Sequence, residues 1–156
     1  MSRGTTCRRG LGMLLAALAT TVSLAGAARA AGAEDAAADP VAATVALYAR
    51  MSARDLPGVL RLVPADGFTE LGPDAAAPHR LAPVAFEGLF RSDLAIALRA
   101  EDVEARRFGD VAVVTGTRVG AVGPAAAARQ PFTMVWTREP AGDWRLRHVH
   151  LSAPAR

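Results

Sequence analysis

Beyond its first thirty residues the chain changes character once. Up to about residue 92 its apolar residues recur at helical spacing and are punctuated by Pro and Gly; from residue 98 onward they alternate, or run together, in long segments separated by Gly- and Pro-containing turns. Helices followed by a run of antiparallel strands bury both apolar surfaces when the helices lie on one face of the sheet, an α+β two-layer arrangement.

The helical part has readable ends. Asp39-Pro40 is a strong start, because Asp39 can cap and Pro40 suits a first-turn position whose N–H has no partner. Val41, Val45, Tyr48 and Met51 then share one face of a helix ending near Ser52-Ala53. Asp55 caps a second, short helix carrying Leu56, Val59, Leu60 and Val63, which Pro64 stops. Residues 67–71 alternate like a strand, 74–79 read as a loop, and 83–92 as a third helix with Phe86, Leu89 and Phe90 inward. Strands are predicted over 98–108, 111–119, 130–138 and 144–152. The β-branched, almost uncharged run 111–119 reads as a strand covered on both faces.

The first thirty residues read differently. Arg3, Arg8 and Arg9 precede an uncharged apolar run from Leu11 to Ala27, and small-x-small triplets follow. This is the pattern of a secretory signal, with cleavage expected after Ala30 and with Ala27 and Ala33 as alternatives; the other reading is an uncleaved membrane anchor, for which the run is slightly short of the roughly 20 residues a span needs. The twin Arg8-Arg9 leaves the twin-arginine route open beside the general one. The expected division is a signal peptide over 1–30, a disordered leader over 31–38 and one domain over 39–154, periplasmic or secreted and free of the membrane after cleavage. Cys7, the only cysteine, departs with the signal, so no thiol or disulfide supports the domain. All 18 basic residues are arginine; four (Arg3, Arg8, Arg9, Arg29) precede the cut, leaving 14 against 15 acids and a balance of −1. No basic nucleic-acid footprint survives.

The closing segments carry a resemblance. Phe132-Thr133-Met134-Val135-Trp136-Thr137-Arg138, a short turn, then Trp144-x-x-x-His148-x-His150-x-Ser152 looks like the final hairpin of SnoaL-like domains in the nuclear-transport-factor-2-like superfamily. It is particularly similar to the association domain of calcium/calmodulin-dependent kinases, and Asp110-Val111-Ala112-Val113-Val114 matches a recurring strand start. The resemblance implies a cone-shaped fold, with three N-terminal helices packed in a strongly bent antiparallel sheet around an internal pocket. It also implies a homodimer made through the outer sheet face. Members include isomerases, dehydratases, cyclases, binding proteins and oligomerisation modules, so the fold does not fix the function.

The candidate site follows from strand period and that cone. Phe132, Met134 and Trp136 share a face of one strand; Trp144, Leu146, His148 and His150 share a face of the next. The candidate ligand-binding set is Tyr48, Phe68, Glu70, Phe86, Phe90, Arg118, Met134, Trp136, His148 and His150. The alternative is that the aromatics simply fill the core. Arg118 interrupts an apolar strand on the face of Ala112, Val114 and Gly116, and matches an arginine of the kinase association domains. It is either an anchor for an anionic ligand or a partner of Glu70 or Glu104 in a salt bridge. His148 and His150 would need a third ligand; His79 lies in a loop and Glu70 could contribute a carboxylate, but packed, hydrogen-bonded histidines are the reading, and neither a metal nor a cofactor is expected. The resemblance to ketosteroid isomerase places the catalytic base on Leu71, beside Glu70, and its second acid on Met134. That machinery does not carry over unless Glu70 substitutes, which leaves Glu70, Tyr48 and His148 as candidate catalytic groups. The leading reading is a domain that binds a small, largely apolar molecule or serves as a dimeric interaction module. The alternative is an isomerase-, dehydratase- or cyclase-type enzyme.

Overall fold

The computed structural model describes residues 39–153; the predicted signal peptide with Cys7, its cleavage sites and the leader over 31–38 lie outside them. Helices α1 (Pro40–Ser52) and α2 (Leu56–Leu60) lead into short strands β1 (Phe68–Leu71) and β2 (His79–Leu81) and helix α3 (Val84–Arg91). Four long strands follow: β3 (Ile96–Phe108), β4 (Val111–Val122), β5 (Ala128–Arg138) and β6 (Trp144–Leu151). They form one sheet in the order β2-β1-β6-β5-β4-β3.

The sheet is mixed, not wholly antiparallel as predicted. β3 to β6 form an antiparallel meander, but β1 runs parallel to β6, with Thr69 opposite His148 and Leu71 opposite His150. Long chain separates the two, so no hairpin dictates their direction. The predicted loop over 74–79 ends in β2, an edge strand pairing Glu70 with His79.

Asp39 caps α1 as expected: its carboxylate accepts from the backbone N–H groups of Val41 (2.9 Å) and Ala42 (3.0 Å). The same carboxylate pairs with Arg107 of β3, whose guanidinium lies 5.8 Å from the Trp144 ring centroid. At the other end of α1, the Ser52 hydroxyl donates to the Leu98 carbonyl (2.8 Å) and accepts from the Leu98 N–H (2.7 Å). The helix is thus tied to β3 at both ends. Its buried stripe is Pro40, Ala43, Thr44, Leu47 and Tyr48, while Val45, predicted inward, is 44% exposed. The correction has a simple cause: α1 is small and apolar nearly all round, so no polar face marks the outside.

The concave face carries the core. Ala112, Val114, Phe132, Met134, Trp136, Trp144 and Leu146 are buried there. The opposite face of β4 stays partly accessible, so this strand is covered on one side and not on both. Two irregularities bend the sheet. β3 slips register between Glu101 and Glu104, where Asp102 takes a φ of 54°, and β6 carries one extra residue opposite the Val135–Trp136 step. Such bulges increase local twist. Gly116 lets the sheet close tightly, because a Cβ there would stand 2.7 Å from the Phe132 ring. At Gly120, φ is 129° and a Cβ would meet the Ala97 carbonyl oxygen at 1.8 Å.

Trp136 is fully buried. Trp136→Ala is expected to cost about 3–5 kcal/mol of stability, read as a lowered urea midpoint with native-like secondary structure retained.

Candidate functional site

A cavity of about 250 Å3 lies between α1, α3 and the concave face of the sheet. Leu47, Tyr48 and Met51 of α1 form one wall, Phe68 and Glu70 of β1 another. Ala85, Phe86 and Leu89 of α3 close one side, and the floor includes Arg118, Met134 and Val149. Helix α3 is positioned largely by Arg54, whose guanidinium donates to the carbonyls of Phe90 (2.7 Å), Ser92 (2.8 Å) and Leu94 (2.6 Å). A cation at the C-terminal end of a helix is favourably placed against its free carbonyls.

Six of the ten predicted site residues line this cavity: Tyr48, Phe68, Glu70, Phe86, Arg118 and Met134. The other four do not. Phe90 packs behind Phe86, ring centroids 6.2 Å apart, and Trp136 belongs to the buried core. His148 and His150 lie on the convex face, because the extra residue in β6 reverses the alternation after Leu146. Val149 and Leu151 therefore turn inward in their place. The Nδ1 of His148 is hydrogen-bonded to the Thr69 hydroxyl at 2.7 Å, and His150 is exposed. Among the described residues no group of three or more His, Cys, Asp or Glu side chains is placed to hold a metal ion.

The aliphatic members of the lining, such as Val149 and Leu151, were missed by sequence reasoning. One signal marks them: apolar positions in β6 step by two from Trp144 to Leu146, then by three to Val149, then by two to Leu151. That slip of phase is the bulge.

Among the described residues, three polar groups line the cavity. Tyr48 is held by a tilted ring contact with Phe132 at 5.8 Å, and its hydroxyl is buried without a hydrogen-bond partner among the described residues. Arg118 donates from one terminal nitrogen to the Gln130 side chain, while its buried Nε has no partner there. Neither predicted salt bridge forms. Arg118 pairs with Gln130, a buried neutral residue; Glu104 is carried by register to the convex face. Glu70 does face the cavity, in the row Glu70, Val149, Met134, Val114 across the sheet, and Leu71 faces away. The register thus places the inward carboxylate at Glu70, one residue from the position that the isomerase template assigns.

Burial pushes the Tyr48 phenol well above its ordinary value; Arg118 opposes the shift and Glu70 adds to it. The hydroxyl is therefore a neutral donor across the physiological range. A phenol whose ionisation is suppressed by burial leaves stability unaffected by pH below its unfolded value near 10, and costs stability as pH rises above that value. Tyr48 is the only tyrosine. An alkaline titration followed at 295 nm should show no phenolate at pH 10 while the fold persists, and phenolate should appear together with unfolding.

A profile of the SnoaL-like domain family matches residues 41–156. A comparison with curated proteins returns no match. Among solved structures, a nuclear-transport-factor-2-like protein from Cytophaga hutchinsonii superimposes with a TM-score of 0.58 at 16% identity, over 69% of this chain and 89% of that one. One of unknown function in nutrient uptake from Rhodospirillum rubrum gives 0.58 at 23% identity, over 80% and 98%. The CaMKII hub of S. rosetta gives 0.52 at 27% identity, over 70% and 88%. The bent mixed sheet around α1 is thus the nuclear-transport-factor-2-like fold, and the chain belongs to the SnoaL-like domain family.

Proposed function

We propose that this domain binds a small, largely apolar molecule carrying an acceptor group, best a carboxylate, in the cavity between α1 and the sheet. The observation that carries the reading is the pair of unpartnered donors there, the Tyr48 hydroxyl and the Arg118 Nε. An unsatisfied buried donor costs on the order of 1–3 kcal/mol, and a protein retains two at one cavity most economically where a ligand completes them. The volume lies just below the usual range of small-molecule sites, which favours a compact ligand.

The enzyme alternative is less well supported. It drew on Glu70, Tyr48 and His148 together, and His148 lies on the other face of the sheet. Self-association is a second reading with its own observation. Phe108 is 65% exposed and Val111 38%, and the register puts both on the convex face beside Val113 and Val135. That apolar strip suits contact with a second copy. Export completes the proposal and rests on the basic, apolar and small-residue order of the first thirty residues.

Benzoate, a compact apolar anion, is a direct probe of the cavity. Calorimetric titration should show one site per chain, and Arg118→Met should weaken binding by at least tenfold without lowering the melting temperature. Tyr48→Phe should weaken benzoate similarly while leaving the free protein as stable or more so, since it removes an unsatisfied group. Loss of folding in Arg118→Met would make that residue structural. Native mass spectrometry of the protein from its own host should show a chain beginning at Ala31, as a dimer. An intact Met1 or a monomer would overturn the export or the self-association reading respectively.

A further inference from the structure

The cavity also holds an acceptor. The Glu70 carboxylate lines it, half-buried, and no described residue meets it in a hydrogen bond or ion pair. Opposite charges sharing one cavity ordinarily pair with each other, yet Glu70 and Arg118 do not. The sheet shows why. Glu70 is on β1 and Arg118 on β4, with β6 and β5 between them. Three strand spacings amount to about 14 Å on a flat sheet, and the four residues from Val114, in the row of Glu70, to Arg118 add about 13 Å along the strand. Curling brings the two walls toward one cavity without bringing the two heads together. The Tyr48 hydroxyl shares the cavity with both charges.

We infer that the ligand has two polar ends: a carboxylate held by Arg118 and Tyr48, and a hydrogen-bond donor, hydroxyl or ammonium, held by Glu70. The inference rests on the binding reading above and adds its second pole. A ligand with only the carboxylate would displace water from the half-buried Glu70 carboxylate and offer no donor in its place. A ligand with both ends satisfies every unpartnered polar group of the cavity. It also carries a charge pattern complementary to the protein's, negative toward Arg118 and donor toward Glu70. Apolar contact with Phe68, Phe86 and Met134 fills the span between them.

Matched aromatic acids test this by titration against the intact protein. Benzoate has only the carboxylate; 3- and 4-hydroxybenzoate add a hydroxyl donor at two distances; 4-(aminomethyl)benzoate adds an ammonium. At least one donor-bearing acid should bind tenfold or more tighter than benzoate, as a hydrogen bond to a charged group allows. Which of them wins tells hydroxyl from ammonium. Glu70→Leu should reduce that ratio to near one while leaving benzoate affinity unchanged or improved. Glu70→Gln, the closer variant in shape, should abolish any ammonium preference and keep part of a hydroxyl preference. If benzoate binds and no donor-bearing acid binds more tightly, the second pole is wrong and the binding reading stands. A donor preference that survives Glu70→Leu likewise overturns the role of Glu70. If none of the acids binds, the binding reading itself fails and takes this inference with it.

Discussion

Helix α1 is held across a concave sheet by contacts at its two ends, and the rest of the architecture depends on that suspension. Asp39 closes the N-terminal turn and at once pairs with Arg107; Ser52 exchanges two hydrogen bonds with the backbone of Leu98. Both partners lie on β3, at opposite ends of the same strand. The helix therefore lies along β3 and away from the far side of the sheet. Packing fills the near side with Ala43, Phe132 and Trp136. On the far side, toward β1 and β6, the distance from helix to sheet is bridged only in part, and the cavity is what remains.

The polar groups of that space are expensive for the fold. A phenol, a guanidinium and a carboxylate are drawn from α1, β4 and β1, and the rest of the cavity lining is apolar. Replacing them with leucine-like residues would make a simpler core. Proteins commonly accept such local conflict where a site is kept ready for a partner. The stiffness of the surroundings fits the same logic. The Phe132 ring steadies Tyr48 and lies over Gly116, Gln130 fixes one nitrogen of Arg118, and Arg54 pins the end of α3.

Much of this was legible in the residues. The capped helix start at Asp39-Pro40, the short helix after Asp55 and the four long strands all follow from local pattern, because each signal is short-range and unopposed. Tyr48, Phe68, Glu70, Phe86, Arg118 and Met134 could be grouped because helix and strand periods project them to one side. What was lost depends on non-local or irregular geometry. The parallel docking of β1 on β6 leaves no turn signal, and the orientation of α1 is unmarked in a helix without a polar face. The histidines were misplaced because alternation was carried through β6 without a break. The step of three between Leu146 and Val149, like that between Ala100 and Val103 in β3, shows where apolar phase slips by one residue and a bulge lies.

The bulge in β6 also bears on how such a chain tolerates changes in length. Its surplus residue, Arg147, is secured on the convex side: its Nε donates to the Thr137 hydroxyl at 2.7 Å, and other nitrogens pair with Glu139 and Asp66. Removing that residue outright would leave a regular strand in which Trp144, Leu146, Val149 and Leu151 still face the helix. Straightening the strand while keeping all its residues would instead exchange two aliphatic side chains for two imidazoles on the cavity wall. At this point in the sequence a deletion is the conservative event, and the loss of the bulge at constant length is the one that rewrites the interior.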